Sequence, residues 1–438
     1  MDWNRYRERL KWFTHDRFGM FIHWGLYAIP ARGEWVRSME KMPKEDYQKY
    51  FDAFNPQGCD MREWAWIARR AGMKYAVLTA KHHDGFCLFD SKLTDYKSTN
   101  TKVARDFVQE FVDAFRAEGI KVGLYFTLID WHHPDYPHFG DRIHPMRDNE
   151  DFKGYQHNFD AYLDYMHGQV REICTNYGKI DILWFDYSYD DMSGEKWRAT
   201  ELVRMVRQLQ PDVLIDNRLE VSGEGFGSLL TDNPREYSGD FVSPEQIIPP
   251  EGILSQSGVP VAWEACITLN NNWGYAVHDN NWKSAATVVR KLVECVSKGG
   301  NLLLNVGPDA QGRIPAESIQ ILTEVGDWLR RNGASIYGCG ASTIGRQPWG
   351  CVTENDEAIF LHIYEDTIGP IPLKGFAPRD FSLVQFENNG AQIQLKPSWT
   401  TGNYPEYLFI PVGPNAVGSF ALPDKIDTVI RMTKASPQ

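Results

Sequence analysis

Strand-like and helix-like segments alternate from residue 18 to about residue 333, and that alternation argues for a parallel β-sheet flanked by helices. Apolar runs at 18–24, 75–80, 122–128, 180–187, 213–216 and 301–306 read as strands. Between and after them, 60–71, 104–118, 159–176, 202–209, 284–297 and 317–331 read as helices. In 104–118, for example, Phe107, Val108, Phe111, Val112 and Phe115 recur on one face at helical period. The number of units and the length favour closure into a TIM-type (β/α)8-like barrel with one degenerate quarter near 218–260, where Gly, Pro and acidic residues replace any periodicity. After about residue 340 helical periodicity stops. Short runs at 358–364, 381–386, 391–395, 407–411 and 428–432, separated by Gly, Pro and Asn, read as a C-terminal antiparallel β-sandwich. The expected division is a barrel over 1–338 and a sandwich over 339–438.

Composition narrows the function. The 438 residues carry a net charge of −12, which argues against nucleic acid and anionic membrane surfaces as partners, since phosphate binding needs a basic face. No apolar run approaches the ~18 residues of a membrane span. The seven cysteines are scattered and form no C-x-x-C, as expected of free thiols in a reducing compartment. With a charged N-terminus lacking a signal-peptide core, this points to the cytoplasm. The chain holds 15 Trp, a number that a large aromatic core and a sugar-binding cleft can both absorb. Nothing visible fixes the oligomeric state, and a homo-oligomer stays open.

The run Ile180-Asp181-Ile182-Leu183-Trp184-Phe185-Asp186-Tyr187 stops on a carboxylate. A buried strand has no structural use for a charge at its end, and burying one without partners costs several kcal/mol. In a β/α barrel the C-terminal strand ends carry the chemistry, so Asp186 is a catalytic candidate. The other strand ends carry His23 and Trp24, then Lys81-His82-His83-Asp84, Tyr125 with Asp130-Trp131-His132-His133, and Asp216-Asn217-Arg218. Each alone has a bland structural reading. Together, a barrel aims them at one cleft.

Two chemistries compete for such a set. A metal hydrolase needs ligands of matched reach, yet His82 and His83 are adjacent and on a regular strand would face opposite ways, and no H-E-x-x-H is present. Glycoside hydrolysis needs two carboxyl groups. Asp186 supplies one; Glu245 in the irregular segment, Glu264 after an apolar stretch, and Glu34 are the candidates for the other.

Five stretches carry a family resemblance: Arg17-Phe18-Gly19-Met20-Phe21-Ile22-His23-Trp24-Gly25, Thr79-Ala80-Lys81-His82-His83-Asp84-Gly85-Phe86, Trp184-Phe185-Asp186, Trp273-Gly274-Tyr275, and Lys298-Gly299-Gly300-Asn301-Leu302-Leu303-Leu304-Asn305-Val306-Gly307-Pro308. In this order the chain resembles the α-L-fucosidases of glycoside hydrolase family 29 across the whole barrel. The resemblance implies an exo-acting, retaining enzyme that needs no metal or cofactor and acts on fucosylated oligosaccharides or glycoconjugates. It assigns Asp186 as nucleophile and, by position after the fifth strand, Glu245 as acid/base, with Glu264 as the alternative. The implied fucose contacts are His23, Glu34, Trp35, His82, His83, Tyr125, Arg218 and Trp273. A wall near Trp35 and Trp273 would meet the 6-deoxy methyl group. A methyl pocket discriminates by only about 1–3 kcal/mol, so the hydroxyl-binding histidines must supply much of the selectivity. A silent fucose-binding protein and a glycosidase for a related sugar such as galactose remain the competing readings. Trp399, in a polar stretch, is read as a packing residue before an exposed contact.

Overall fold

The computed structural model describes residues 3–396, 401–413 and 419–436; Trp399 lies outside them. Seven parallel strands form the main sheet: β1 (Phe18–Ile22), β2 (Tyr75–Lys81), β3 (Lys121–Thr127), β4 (Ile182–Asp186), β5 (Leu214–Ile215), β6 (Glu264–Thr268) and β7 (Asn301–Val306). Their order, β5-β4-β3-β2-β1-β7-β6, leaves one gap, between β5 and β6. Residues 240–246 run through that gap. Asp216 pairs with Phe241 on one side, and Val242 pairs with Trp263 and Glu245 with Cys266 on the other, all in parallel sense. This irregular eighth stave is the degenerate quarter anticipated between 218 and 260, a stretch whose one helical element is the short 3-10 turn Gly227–Leu230.

The helices are α1 (Trp3–Asp16), α2 (Val36–Met39), α3 (Lys44–Ala53), α4 (Met61–Arg70), α5 (Phe107–Ala117), α6 (Phe159–Asn176), α7 (Ala199–Leu209), α8 (Ala285–Ser297) and α9 (Ala316–Asn332). Asp60, Asp106, Asn158 and Ser284 cap α4, α5, α6 and α8 by accepting a backbone N–H of the first turn. The first three helices were not anticipated. In α1 the apolar residues Tyr6, Leu10 and Phe13 share a face but are outnumbered by charges. That face enters the lower mouth of the barrel, where the Phe13 ring lies 4.8 Å from Phe241 and 5.7 Å from Tyr75.

Above this plug the lumen is filled by Tyr75, Trp184, Leu303 and Cys266. Gly19 makes room for them: a Cβ there would come within 2.3 Å of the Tyr75 ring. Glu264 belongs to the same layer. The expectation that an apolar strand precedes it needs correction, because β6 begins at Glu264 and turns that side chain into the lumen. Tyr75 Oη donates to Glu264 Oε2, and Trp184 Nε1 donates to Oε1 at 3.4 Å.

The C-terminal strands are β8 (Gly340–Ala341), β9 (Gly350–Glu354), β10 (Ala358–Ile363), β11 (Thr367–Ile368), β12 (Ile371–Lys374), β13 (Phe381–Phe386), β14 (Tyr407–Ile410), β15 (Ser419–Phe420) and β16 (Thr428–Lys434). They form a five-stranded antiparallel sheet, β13-β16-β10-β9-β8, and two-stranded pairs β11–β15 and β12–β14. Ile359, Leu361 and Ile363 of β10 join Leu373, Leu408 and Ile410 in one core, giving the expected sandwich. The run at 391–395 is not a strand; a lone bridge joins Gln392 to Gln385. The opposite face of β10 turns Phe360 into the core shared with the barrel helices. There Trp328 Nε1 donates to Asp427 O (3.0 Å), Arg290 Nε to Ile426 O (2.9 Å), and Thr353 Oγ1 to Ser335 O (2.7 Å).

The eighth stave is pinned at its lower end by Asp240, fully buried, which pairs with Arg9 (2.7 Å) and Arg207 (2.5 Å) and accepts the Ile215 N–H (2.8 Å). Removing one partner of a buried charge cluster strands the rest. Asp240→Asn is therefore expected to cost about 3–5 kcal/mol, read as a fall in the midpoint of thermal or urea unfolding. A loss well under about 1 kcal/mol would show that Asp240 does not close the barrel.

Candidate active site

The C-terminal strand ends surround a cavity of about 410 Å³. Every site residue expected from the sequence lines it except Glu264, which is sealed in the lumen below. Asp186 ends β4 with 15% of its side chain exposed, and Glu245 ends the eighth stave with 39% exposed. One guanidinium joins them: Arg218 Nη1 donates to Asp186 Oδ1 at 2.9 Å and Nη2 to Glu245 Oε2 at 3.1 Å. Arg218 is held in turn by Ser243, whose Oγ accepts from Nε (2.9 Å) and whose carbonyl accepts from Nη2 (3.1 Å), and it lies 4.8 Å over the Trp184 ring. Tyr125 Oη donates to Asp186 Oδ2 at 2.8 Å, and His83 Nε2 stands 4.0 Å from the same oxygen.

The residue after each of these carboxylates is left-handed, Tyr187 at φ 83° and Gln246 at φ 56°. Non-glycine residues adopt that conformation at a cost of order 1–3 kcal/mol, and such strain concentrates at functional sites. Each turn ends its stave abruptly and leaves the carboxylate at the rim. The Tyr187 ring then packs on His83 (4.8 Å) and Trp35 (5.5 Å).

His82 and His83 both line the cavity, contrary to the alternation of a regular strand. The β2–β3 register slips between Thr79 and Lys81, and β2 ends at Lys81, so both rings turn inward with centroids 4.1 Å apart. His23 is fixed through Asn305. Asn305 Nδ2 donates to Trp273 O (2.7 Å), so its Oδ1 must accept from His23 Nδ1 (2.7 Å), leaving a lone pair on His23 Nε2. Glu34 accepts the Gly274 N–H at 2.7 Å, tying the loops that bear Trp35 and Trp273. The Trp273 ring stands 5.0 Å from His23 and 5.8 Å from Phe21.

Burial governs the charges. It pushes His23 down to about 3 and His82 and His83 well below the usual imidazole range, so all three are neutral. It pushes Glu34 and Glu264 up to about 7. Asp186 is raised to about 6, first by burial and then by the neighbouring Glu245 charge, against the pull of Arg218.

Other strand-end groups do not reach the cavity. Asp130 pairs with the buried Lys81 at 2.6 Å, His132 stacks on Tyr96 at 3.7 Å, and Asp84 accepts from Tyr47 Oη at 3.0 Å. Asn217 accepts from Ser243 Oγ at 2.9 Å and supports Arg218 from behind. Phe21, Trp184 and Cys266 line the cavity without having been singled out. The first two precede His23 and Asp186 by two residues, so the strand period could have found them. Arg142, Ser222 and Glu224 come from loops with no such signal.

The geometry agrees with what the chain is similar to. A family profile described as Alpha-L-fucosidase matches residues 1–334. An alpha-L-fucosidase of Dictyostelium discoideum is 30% identical, with 91% of each chain covered. Alpha-L-fucosidase isoenzyme 1 from Paenibacillus thiaminolyticus superposes with a TM-score of 0.94 at 57% identity, covering 99% of this chain and 100% of that one. A GH29 alpha-L-fucosidase from Bacteroides thetaiotaomicron, trapped as a covalent intermediate with 2-fluoro-fucosyl fluoride, gives 0.82 at 28% identity, covering 98% of this chain and 96% of that one. With the family profile spanning the entire barrel, this chain belongs to the alpha-L-fucosidases of glycoside hydrolase family 29.

Proposed function

We propose that this chain is an exo-acting, retaining α-L-fucosidase in which Asp186 is the nucleophile and Glu245 the acid/base. The observation that carries the assignment is the Arg218 fork, which holds both carboxylates at the wall of one cavity. Glu264 has no access to that cavity, so it is set aside as acid/base. The catalytic unit is assigned to residues 1–338 and the sandwich to 339–438.

A terminal fucosyl unit enters the cavity from above the packed lumen. An Asp186 oxygen attacks the anomeric carbon as the bond to the leaving oxygen breaks, and protonated Glu245 gives its proton to that oxygen. Glu245, now a carboxylate, takes a proton from water; the water oxygen attacks the anomeric carbon and Asp186 departs as the carboxylate. Tyr125 and Arg218 steady Asp186 in its charged form. The neutral His23, His82 and His83 serve as donors and acceptors for sugar hydroxyls, and among the described residues His82 Nδ1 has no hydrogen-bond partner. Trp35 and Trp273, the latter with Phe21 packed beside it, offer the apolar wall for the C6 methyl. The substrates are fucosylated oligosaccharides or glycoconjugates. Seven buried, unpaired cysteines support a cytoplasmic setting, and no helix among the described residues is long and apolar enough to cross a membrane.

Asp186→Ala should abolish release of nitrophenol from the α-L-fucoside, and azide should restore turnover as a fucosyl azide of inverted anomeric configuration. Near-normal turnover without azide would sink the nucleophile assignment. Asp186 must be ionised to attack, so kcat/KM should rise with pH through about 6 and fall below it, about ten-fold per unit. Glu245→Gln removes the proton donor and should slow substrates with poor leaving groups far more than activated aryl fucosides; equal losses on both would count against Glu245 as acid/base.

Glu264 makes a separate prediction. Its folded carboxyl sits at about 7 against 4.5 unfolded, so its contribution to stability is present below about 4.5 and is lost as pH rises towards 7. Glu264→Gln should therefore gain thermal stability relative to the parent as pH rises from 5 to 8. If instead it selectively lost poor leaving groups, the acid/base would be Glu264.

A further inference from the structure

Beside the sugar cavity, and sharing Gly223, Glu224 and Glu245 with it, lies a second depression of about 480 Å³. Its wall comes from the irregular chain on both sides of the eighth stave: Phe226 and Leu230 from one stretch, Ile247, Pro249, Pro250 and Leu254 from the other. Ile247 is 57% exposed and Leu254 54% exposed. Scattered exposed apolar side chains need no explanation, but these share one concave wall, and that wall runs up to a carboxyl group of the site. The approach is close. A Cβ on Gly223 would come within 2.8 Å of Glu245 Oε2 and 2.6 Å of Arg218 Nη2, so this residue brings bare backbone against the Arg218–Glu245 pair at the junction of the two depressions. Besides Glu245, the groove carries two further ionisable side chains, Glu224 and Glu251, both acidic and exposed.

We propose that this groove is the leaving-group subsite and that it selects aglycones presenting an uncharged, apolar face next to the scissile oxygen. The inference rests on the assignment of Glu245 as acid/base. The oxygen that Glu245 protonates carries the aglycone, so the aglycone must lie on the Glu245 side of the sugar, and the groove is the apolar surface continuous with that side. Ile247, Leu254 and Phe226 offer flat aliphatic and aromatic contact to an aryl ring or to the C–H face of a neutral sugar. Glu224 and Glu251 oppose aglycones bearing a carboxylate or sulfate.

The test compares two substrates in one enzyme. α-L-Fucosyl fluoride has no aglycone to fill the groove, whereas the 4-methylumbelliferyl α-L-fucoside does. In the Ile247→Ser/Leu254→Ser double variant, kcat/KM for the umbelliferyl substrate relative to the fluoride should fall about ten-fold, through a higher KM for the aryl substrate. This ratio does not depend on the fraction of enzyme that folds. A parent enzyme that hydrolyses both substrates, with a ratio unmoved by the substitutions, overturns the groove alone. A parent enzyme that hydrolyses neither overturns the fucosidase reading and the groove with it.

Discussion

The eighth stave is held at both ends by arginines, and the site depends on that. Its backbone makes isolated bridges, one on the β5 side and two on the β6 side, rather than a continuous ladder. What replaces the ladder is charge: Arg9 and Arg207 grip Asp240 below, and Arg218 grips Glu245 above. Buried ion pairs are poor sources of net stability because their desolvation offsets the attraction. Here they set register. A slip of one residue along a strand turns every side chain to the other face, which would take Glu245 out of the cavity.

The electrostatics of the cavity follow from one cause acting on two kinds of group. Burial drives imidazoles towards their neutral base and carboxyl groups towards their neutral acid, so His23, His82, His83 and Glu34 present hydrogen-bonding atoms rather than a cluster of charges. Asp186 escapes full neutralisation because Arg218 and Tyr125 hold its oxygens. The ion pairs that remain at the cavity are those of Arg218 with Asp186 and Glu245, and Arg142 and Glu224 line it from the loops.

Much of this was legible in the sequence, for a definite reason. Parallel strands in a barrel put their C-terminal ends on one rim, so reading where each apolar run stops locates His23, His82, Tyr125, Asp186 and Arg218 without knowledge of contacts. Trp35 and Trp273 sit on connections, and only their family resemblance marked them; Glu34, also on a connection, stood out from the residues only as a third candidate acid. Long-range geometry was not legible. The α1 helix looks like a charged surface segment until the open mouth of the barrel is there to receive Phe13. Glu264 looks like a strand-end acid until β6 is seen to begin with it. Adjacent histidines both reach the cavity only because β2 loses its register before them.

Phe360 on β10 has a consequence for the molecule as a whole. The boundary between helical and antiparallel architecture near residue 338 is easy to draw along the chain, yet one face of the C-terminal sheet completes the hydrophobic core beneath α8 and α9. Trp328 and Arg290 send their donors to carbonyls of 426–427. A fragment ending at the architectural boundary would leave that apolar face, and those donors, open to water. The sandwich is thus a structural wall of the enzyme rather than a detachable module, and any shortened or domain-swapped version would have to carry a replacement for β9, β10 and β16.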